Sequence, residues 1–212
     1  MKKGSKILYV VIKRLFDIIV GLIGLIILIP LSLAVLIANL CTGDFHNIFL
    51  VQKRIGKNGK EFNFFKYRSM IINADEVLFK LLKENPEMAK EYKINKKLKN
   101  DPRITKVGKI LRKTSLDELP QLLNVLIGNM SLIGNRPYLP REKEDMGEYF
   151  DDIVKTKPGI TGYWQVSGKE HTTFDKRLEL EKYYSNNYSL GLDCKIFFKT
   201  FGAVLGGHGA AE

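Results

Sequence analysis

Two adjacent carboxylates, Asp117 and Glu118, are the residues of this chain best suited to chemistry. With Ser115 they form the pattern Ser-x-x-Glu, which taken alone is more typical of a capping box at the start of a helix. A helix start would also keep both carboxylates ionised, because the positive end of the helix dipole stabilises negative charge. An ionised aspartate can attack phosphorus as a nucleophile, and a neighbouring carboxylate can hold Mg²⁺ against the phosphate. Asp117 is therefore the candidate nucleophile and Glu118 the candidate Mg²⁺ ligand.

Two arginines near this pair are suited to bind the phosphates of a substrate. Arg112 precedes the pair on a predicted helix, and Arg136 lies in a Gly-Asn-Arg-Pro segment that is read as a turn. A guanidinium group binds phosphate through two parallel hydrogen bonds. A solvated helix face for Arg112 and an ordinary surface turn for Arg136 explain the same residues equally well at this point.

Longer motifs surround these residues. They are RKTSLDELPQLLNVL at 112–126, GNMSLIGNRP at 128–137, KYRSM at 66–70, NDPRIT at 100–105, KPGITG at 157–162 and QVSG at 165–168. In this order they closely resemble the bacterial sugar transferase family, the monotopic polyprenyl-phosphate phosphoglycosyl transferases. The resemblance extends from about Lys13 to Ala210, almost the whole chain.

The resemblance implies a reaction in two steps. The aspartate at Asp117 attacks the sugar-bearing phosphate of a UDP-sugar, which releases UMP and leaves a covalent phospho-sugar enzyme. A polyprenyl phosphate, usually undecaprenyl phosphate, then takes the phospho-sugar. The glutamate at Glu118 binds Mg²⁺, and the arginines at Arg112 and Arg136 lie near the phosphates. Such enzymes carry out the first membrane step of exopolysaccharide, capsule or O-antigen synthesis, at the cytoplasmic face of the bacterial inner membrane.

The same resemblance adds Lys66, Lys169 and Glu181 as expected substrate- or phosphate-binding residues. Lys169 stands where the family usually has arginine, and Glu181 stands where it has aspartate before a pair of tyrosines. The segment 138–149 is similar to members that transfer galactose or glucose phosphate. A UDP-hexose is therefore the expected donor, and a UDP-N-acetyl sugar stays open.

The net charge of +11 is compatible with several anionic partners. Nucleic acid, an anionic membrane and a phosphorylated substrate would all be attracted. A membrane-tethered nucleic-acid-binding protein is disfavoured, because aromatic residues do not alternate with basic ones as a base-stacking platform requires. A non-catalytic scaffold is disfavoured by the intact Asp117-Glu118 pair. We expect membrane lipids as partners and no nucleic acid, and a homo-oligomer is compatible with the sequence.

An apolar segment without charge, residues 18–43, is predicted to anchor the protein, because about 20 apolar residues suffice to cross a bilayer as a helix. A buried core helix is the alternative, but an apolar run of this length is rare in soluble cores. Pro30 lies in the middle of this segment and is expected to bend or break the helix. Lysine and arginine, which favour the cytoplasmic side, lie on both flanks. These features predict a re-entrant helix that turns at Pro30 and returns to the same side. The family's anchor, which the resemblance implies, has this topology.

The remaining elements must position the candidate site. Residues 49–70 predict a hairpin with its turn at Asn58-Gly59, and a further strand is expected through Trp164 and Val166. Helices are predicted over 73–94 with a break at Pro86, over 105–128 with a break, over 174–184 and over 190–205. The last helix is amphipathic, which suits either a membrane surface or the domain core.

These elements predict an α/β-type fold that is mostly helical with a small β element. Residues 1–45 are expected to form the re-entrant anchor, and residues 46–212 the cytosolic phosphoglycosyl transferase domain. Larger family members carry extra membrane helices before this unit, so the chain is expected to be the minimal catalytic unit.

Overall fold

The structure is a computed structural model that describes residues 3–95, 98–167 and 172–205. Its helices are α1 (Lys3–Cys41), α2 (Ala74–Glu84), α3 (Pro86–Asn95), α4 (Lys106–Lys113), α5 (Gln121–Ile127), α6 (Lys143–Met146), α7 (Phe150–Ile153), α8 (Tyr163–Val166), α9 (Phe174–Asn187) and α10 (Leu190–Leu205). Its strands are β1 (Phe49–Ile55), β2 (Glu61–Tyr67), β3 (Ser131–Ile133) and β4 (Gly159–Thr161). The predicted fold class, mostly helical with a small β element, is confirmed.

Helix α1 is long and apolar enough to cross a membrane over Lys6–Cys41. On one side its large side chains are open to the surroundings, with Ile26 73% and Ile29 75% exposed. The other side carries a buried stripe that the rest of the chain covers from Tyr9 to Val35. A helix covered over this length could not pass through a bilayer without drawing the covering residues into hydrocarbon, where polar groups are costly. The packing therefore fits monotopic association with one side of a membrane.

Pro30 does not interrupt this helix, because α1 is helical on both sides of the proline and through it. Next to the proline, Ser32 Oγ donates to the carbonyl of Leu28 at 2.7 Å and lies 2.6 Å from the hydroxyl of Tyr67 on β2. The expected break in secondary structure is thus corrected to a proline inside a continuous helix. A change of direction at Pro30, with the re-entrant topology that depends on it, stays a prediction.

Helix α1 packs tightly on α5. A Cβ atom added to Gly24 would lie 2.2 Å from a terminal methyl group of Leu122, so the two helices approach closely at this glycine. At the other end of α5, the guanidinium of Arg14 donates to the carbonyls of Val125 at 2.5 Å and Leu126 at 2.7 Å. The last carbonyls of a helix lack helical partners and attract a cation. The anchor is therefore fixed to the helix that directly follows Asp117-Glu118.

The predicted hairpin is formed by β1 and β2, which pair antiparallel. Its turn residues Asn58 and Gly59 both have left-handed backbone, with φ of 59° and 74°. The hairpin is held on α5 by Asn124, whose side-chain oxygen accepts from the Phe65 backbone N–H at 3.0 Å. Its side-chain nitrogen donates to the Asn63 carbonyl at 2.6 Å. This double contact positions β2 beside the segment that carries the candidate nucleophile.

A second, parallel sheet joins β3 and β4, and it corrects two predictions. The strand expected through Trp164 and Val166 is wrong: the strand is β4, and Tyr163–Val166 forms helix α8. The segment 134–137 is not a turn, because Asn135 extends the sheet by bridging to Pro158. A Cβ added to Gly134 would meet the Lys157 carbonyl oxygen at 2.3 Å, so glycine permits this close pairing of the two strands.

The other predicted helices are confirmed. Residues 73–94 divide into α2 and α3 around Pro86, and residues 105–128 divide into α4 and α5. The predicted C-terminal helices correspond to α9 and α10. Helix α10 contributes the buried Ile196 to the core and leaves Phe198 72% exposed, so it both packs on the core and presents an apolar face.

Candidate active site

The Asp117-Glu118 pair lies in a 3-10 turn, Leu116–Glu118, between α4 and α5. Ser115 precedes the turn with left-handed backbone, φ 55°, and its side chain makes no capping hydrogen bond. A capping residue requires extended backbone, which directs its side chain to the free N–H groups of the helix. The predicted capping box is therefore wrong, and the strained backbone at Ser115 belongs to the sharp connection that places the pair.

Asp117 is buried, with 2% of its surface exposed. Its Oδ2 atom lies 3.9 Å from Nζ of Lys66, whose side chain is only 13% exposed. Lys66 follows Phe65 on β2, so the Asn124 contact described above also fixes the lysine. The structure thereby joins two predicted site residues that are far apart in the sequence.

A cleft of about 460 Å³ lies in front of this pair, within the range usual for small-molecule sites. It brings together Lys66, Arg112, Glu118 and Arg136, four of the predicted site residues. Its basic lining residues are Arg54, Lys66, Arg68, Arg103, Arg112, Arg136, Arg141 and Arg177. Its acidic lining residues are Asp75, Glu76, Asp101, Glu118 and Glu142. The excess of positive charge suits a substrate that carries several phosphate oxygens.

Two of these arginines each bind both carboxylate oxygens of an aspartate. Arg68 binds both carboxylate oxygens of Asp44, at 2.8 and 2.9 Å, and this contact lowers the pKa of Asp44 to about 2. Arg103 binds Asp101 in the same way, at 2.5 and 2.8 Å. These pairs shape the cleft wall and use the guanidinium groups that a phosphate would otherwise engage.

Arg112 is held at the cleft by Ser69. The Nε atom of Arg112 donates to Ser69 Oγ at 2.9 Å, and Ser69 is 1% exposed. Helix α4 lies directly on the backbone of Ser69, since a Cβ added to Gly108 would be 2.0 Å from the Ser69 carbonyl oxygen. Arg112 therefore depends on the close contact that Gly108 allows.

Arg136 is fixed through its backbone by Glu181. The Arg136 N–H donates to Glu181 Oε1 at 3.1 Å. Glu181 is 2% exposed, and burial raises the pKa of its carboxyl to about 7. Glu181 is not among the described residues that line the cleft, and its direct contact with the substrate stays a prediction. Its partners show that it positions Arg136, so the backbone of Arg136 is engaged by the protein itself.

For three residues of the site, no role was predicted from the sequence. Ser69 holds Arg112, Asn124 holds β2, and Arg177 lines the cleft near Arg136. Ser69 and Asn124 stand inside the motifs but have no spacing that would reveal these contacts. Arg177 lies four residues before Glu181 on a predicted helix, and this spacing places the two on one face. This spacing could have identified Arg177 from the sequence as a neighbour of Glu181.

The residues present fit a bound Mg²⁺. Among residues 3–95, 98–167 and 172–205, no three His, Cys, Asp or Glu side chains come together as a metal-binding group. Mg²⁺ in phosphate sites, however, is usually held by one or two carboxylates with substrate phosphates and water. Glu118 is half-buried and lines the cleft, so it can serve as such a ligand. Lys169, the other predicted phosphate ligand, lies outside the described residues.

Known proteins are similar to this chain over most of its length. A family profile described as bacterial sugar transferase matches residues 8–207. An uncharacterized sugar transferase of Haemophilus influenzae is 46% identical over 200 residues, 94% of this chain. The exopolysaccharide production protein ExoY of Sinorhizobium fredii is 42% identical over 192 residues, 91% of the chain. An undecaprenyl-phosphate galactose phosphotransferase of Salmonella typhimurium is 44% identical over 209 residues, 99% of the chain.

The share of each relative that the chain covers differs. The aligned region spans 84% of the ExoY protein, but 42% of the Haemophilus protein and 43% of the Salmonella protein. The chain thus spans less than half the length of two of these three relatives.

Proposed function

The chain belongs to the bacterial sugar transferase family, and from that premise we propose that it transfers a hexose 1-phosphate from a UDP-hexose to a polyprenyl phosphate. Undecaprenyl phosphate is the expected acceptor, as in the name of the Salmonella relative. The observation that carries the proposal is the cleft that brings Lys66, Arg112, Glu118 and Arg136 together in front of Asp117. The product would serve as the first lipid-linked intermediate of exopolysaccharide, capsule or O-antigen synthesis.

In the first step, a carboxylate oxygen of Asp117 attacks the phosphorus that bears the sugar. The new bond is an acyl phosphate, and the bond to the bridging oxygen breaks, so that UMP leaves with the electron pair. In the second step, a phosphate oxygen of the polyprenyl phosphate attacks the same phosphorus. The bond to Asp117 breaks, which regenerates the carboxylate and yields a polyprenyl diphosphate sugar.

Lys66 controls access to the carboxylate in this proposal. Asp117 is nearly inaccessible, and Lys66, whose Nζ atom lies 3.9 Å from Oδ2 of Asp117, lines the cleft. A substrate phosphate competes with Asp117 for the ammonium group. When the Lys66 ammonium group turns to the substrate phosphate, the Asp117 carboxylate becomes free to approach the phosphorus. The ammonium group then lies close to both the attacking carboxylate and the phosphate, which lowers the repulsion between these two anions. Positioned charge of this kind is the main source of catalysis in phosphoryl transfer.

Arg112 and Arg136 bind the remaining phosphate oxygens. Arg112 is held by Ser69, the backbone of Arg136 is held by Glu181, and both side chains line the cleft. Glu118 would hold Mg²⁺, which neutralises phosphate charge when it is bound. These residues orient the diphosphate and lower the repulsion that an anionic nucleophile meets.

The membrane contacts of the protein suit a lipid acceptor. Helix α1 and the exposed apolar residues of α10 would lie at the bilayer surface, and α1 packs on α5 beside the candidate site. A long polyprenyl chain can then stay in the bilayer while its phosphate enters the cleft. The cytoplasmic face of the bacterial inner membrane is the proposed location, because UDP-sugars are cytoplasmic and both flanks of the apolar segment 18–43 are basic.

The test incubates purified protein in lipid nanodiscs with a panel of UDP-sugars, Mg²⁺ and undecaprenyl phosphate. We expect UMP and a lipid-linked sugar diphosphate from at least one UDP-hexose, and no product from Asp117→Asn. Without the acceptor, intact-mass measurement should show an adduct of one hexose phosphate on wild-type protein. Turnover by Asp117→Asn at the wild-type rate would contradict the proposed nucleophile, and the absence of UMP with every donor would contradict the reaction.

A further inference from the structure

Arg177 on α9 presents a buried positive charge to the cleft. The residue is 7% exposed and lines the cleft. Its guanidinium makes no hydrogen bond and no ion pair within 4.0 Å with the described residues, and its Nε atom is fully buried. An unpaired charge taken out of water costs several kcal/mol in a real protein. A charge left in this state is suited to a partner that the chain itself does not supply.

Aromatic rings hold this side chain in place. The central carbon of the guanidinium lies 4.2 Å from the centre of the Trp164 ring and 5.6 Å from the centre of the Phe174 ring. Trp164 is itself fixed, because its ring N–H donates to Thr172 Oγ1 at 2.8 Å. Contact with an aromatic face orients a guanidinium and uses none of its N–H groups, so the donors stay available to a ligand.

A second positive charge lies close by. Burial and the neighbouring Arg136 both lower the pKa of the Arg177 guanidinium. Glu181, one turn further along α9, accepts from the backbone of Arg136. The carboxylates of Glu181 and Glu142 raise the pKa of Arg177 and so offset part of this effect. Two guanidinium groups that repel each other become favourable when an anion lies between them.

We propose that Arg177 is a phosphate-binding residue of the cleft, which shares a phosphate of the UDP-sugar with Arg136. This inference rests on the proposed function and adds a substrate contact to it. The planar guanidinium, fixed on Trp164, can give two parallel hydrogen bonds to one phosphate group. Binding of the phosphate supplies the missing partner of the buried charge.

The chain offers a probe at this position, because Trp164 is its single tryptophan. The test titrates the purified chain in nanodiscs with UMP, inorganic pyrophosphate and uridine, without any turnover. Equilibrium dialysis gives the affinities, and tryptophan fluorescence reports whether the ligand reaches Arg177. UMP and pyrophosphate should change the fluorescence of Trp164 in wild-type protein, whereas uridine, which lacks phosphate, should change it much less.

Arg177→Met keeps an unbranched side chain over Trp164 and removes the charge. We expect it to weaken UMP binding about tenfold or more, as the loss of a charged hydrogen bond would, and to leave uridine binding unchanged. The matched control is Lys176→Met, which removes an exposed charge from the adjacent position on α9. The control should bind UMP as wild type does.

Arg177→Lys decides the matter if Arg177→Met does not fold. Lysine retains the positive charge but cannot donate two parallel hydrogen bonds to one phosphate, so the UMP affinity should lie between those of wild type and Arg177→Met. Wild-type UMP affinity in the folded Arg177 variant would overturn the inference. Because these are binding measurements, they are separate from turnover: protein that binds UMP through Arg177 but transfers no sugar phosphate would refute the proposed function alone.

Discussion

The Nζ atom of Lys66 lies 3.9 Å from Oδ2 of Asp117, and this carboxylate is 2% exposed. The lysine comes from β2 and the aspartate from the turn before α5, so the pair joins the hairpin to the candidate catalytic segment. A buried ion pair loses more when one partner is removed than when both are.

Lys66→Met is therefore expected to lower both turnover and stability. The free energy of unfolding should fall by about 3 kcal/mol, because the buried carboxylate of Asp117 loses a nearby cation. In an Asp117→Asn background the same substitution should cost less, with a coupling of about 1–3 kcal/mol. Urea unfolding of the four proteins measures this coupling. If the effects of Lys66→Met and Asp117→Asn on the free energy of unfolding are additive, the two side chains do not interact. Lys80→Met, which removes an exposed lysine paired with Glu84, serves as the control.

Gly108→Ala should reduce activity although Gly108 itself does not line the cleft. The added methyl group would lie 2.0 Å from the Ser69 carbonyl oxygen, so α4 must move away and carry Arg112 with it. We expect a loss of at least about 1 kcal/mol in stability, as for other overpacked sites, and a clear fall in turnover. Both are measured by thermal unfolding and by UMP release.

Gly191→Ala in α10 is the matched control for this change. A Cβ at Gly191 meets nothing within 4 Å, so alanine should be neutral or stabilise the helix by up to about 1 kcal/mol. Equal behaviour of the two alanine variants would show that the contact between α4 and Ser69 does not position Arg112.

Glu181 gives the protein a pH dependence near neutrality. Burial raises the pKa of its carboxyl to about 7, from 4.5 in an exposed state. Between these values the folded protein binds more protons than the unfolded chain does. The free energy of unfolding should therefore fall as pH rises from 4.5 to about 7, by at most about 1.4 kcal/mol per pH unit, and the contribution should level off above that.

Glu181→Gln removes this titration. The stability of the variant relative to wild type should increase with pH across the same range, as measured by urea unfolding at several pH values. Glu179→Gln, an exposed glutamate on the same helix that pairs with Lys176, should instead follow the wild-type curve. Parallel curves for wild type and Glu181→Gln would contradict the raised pKa.

The topology of α1 can be tested by labelling cysteines in intact cells. Cys41 and Cys194 are exposed and must first be replaced by serine. Single cysteines are then placed at Lys6 and at Lys60, on either side of the apolar segment. A re-entrant anchor predicts that an impermeant thiol reagent reaches neither in intact cells and both after permeabilisation. Labelling at Lys6 alone in intact cells would instead show a helix that crosses the membrane.

Local patterns in the sequence predicted most elements of the fold. The apolar run gave α1, Asn58-Gly59 gave the hairpin turn, and Pro86 separated α2 from α3, because each pattern acts through nearby residues. The strand expected at Trp164 was wrong because a short apolar run does not distinguish a strand from a single helical turn. The motifs likewise identified the cleft residues Arg112 and Arg136, but not their contacts with Ser69 and Glu181.

By itself, then, the sequence determined the family, the anchor and the identity of the acidic pair. Only the tertiary structure decided how these residues meet, because the deciding contacts join distant segments, such as Glu181 with Arg136, 45 positions apart. It removed Ser115 from its expected capping role, since packing imposes left-handed backbone there. It placed Asp117 next to Lys66 and left the buried Arg177 without a hydrogen bond to the described residues, because burial and the distance between charges are properties of the folded molecule.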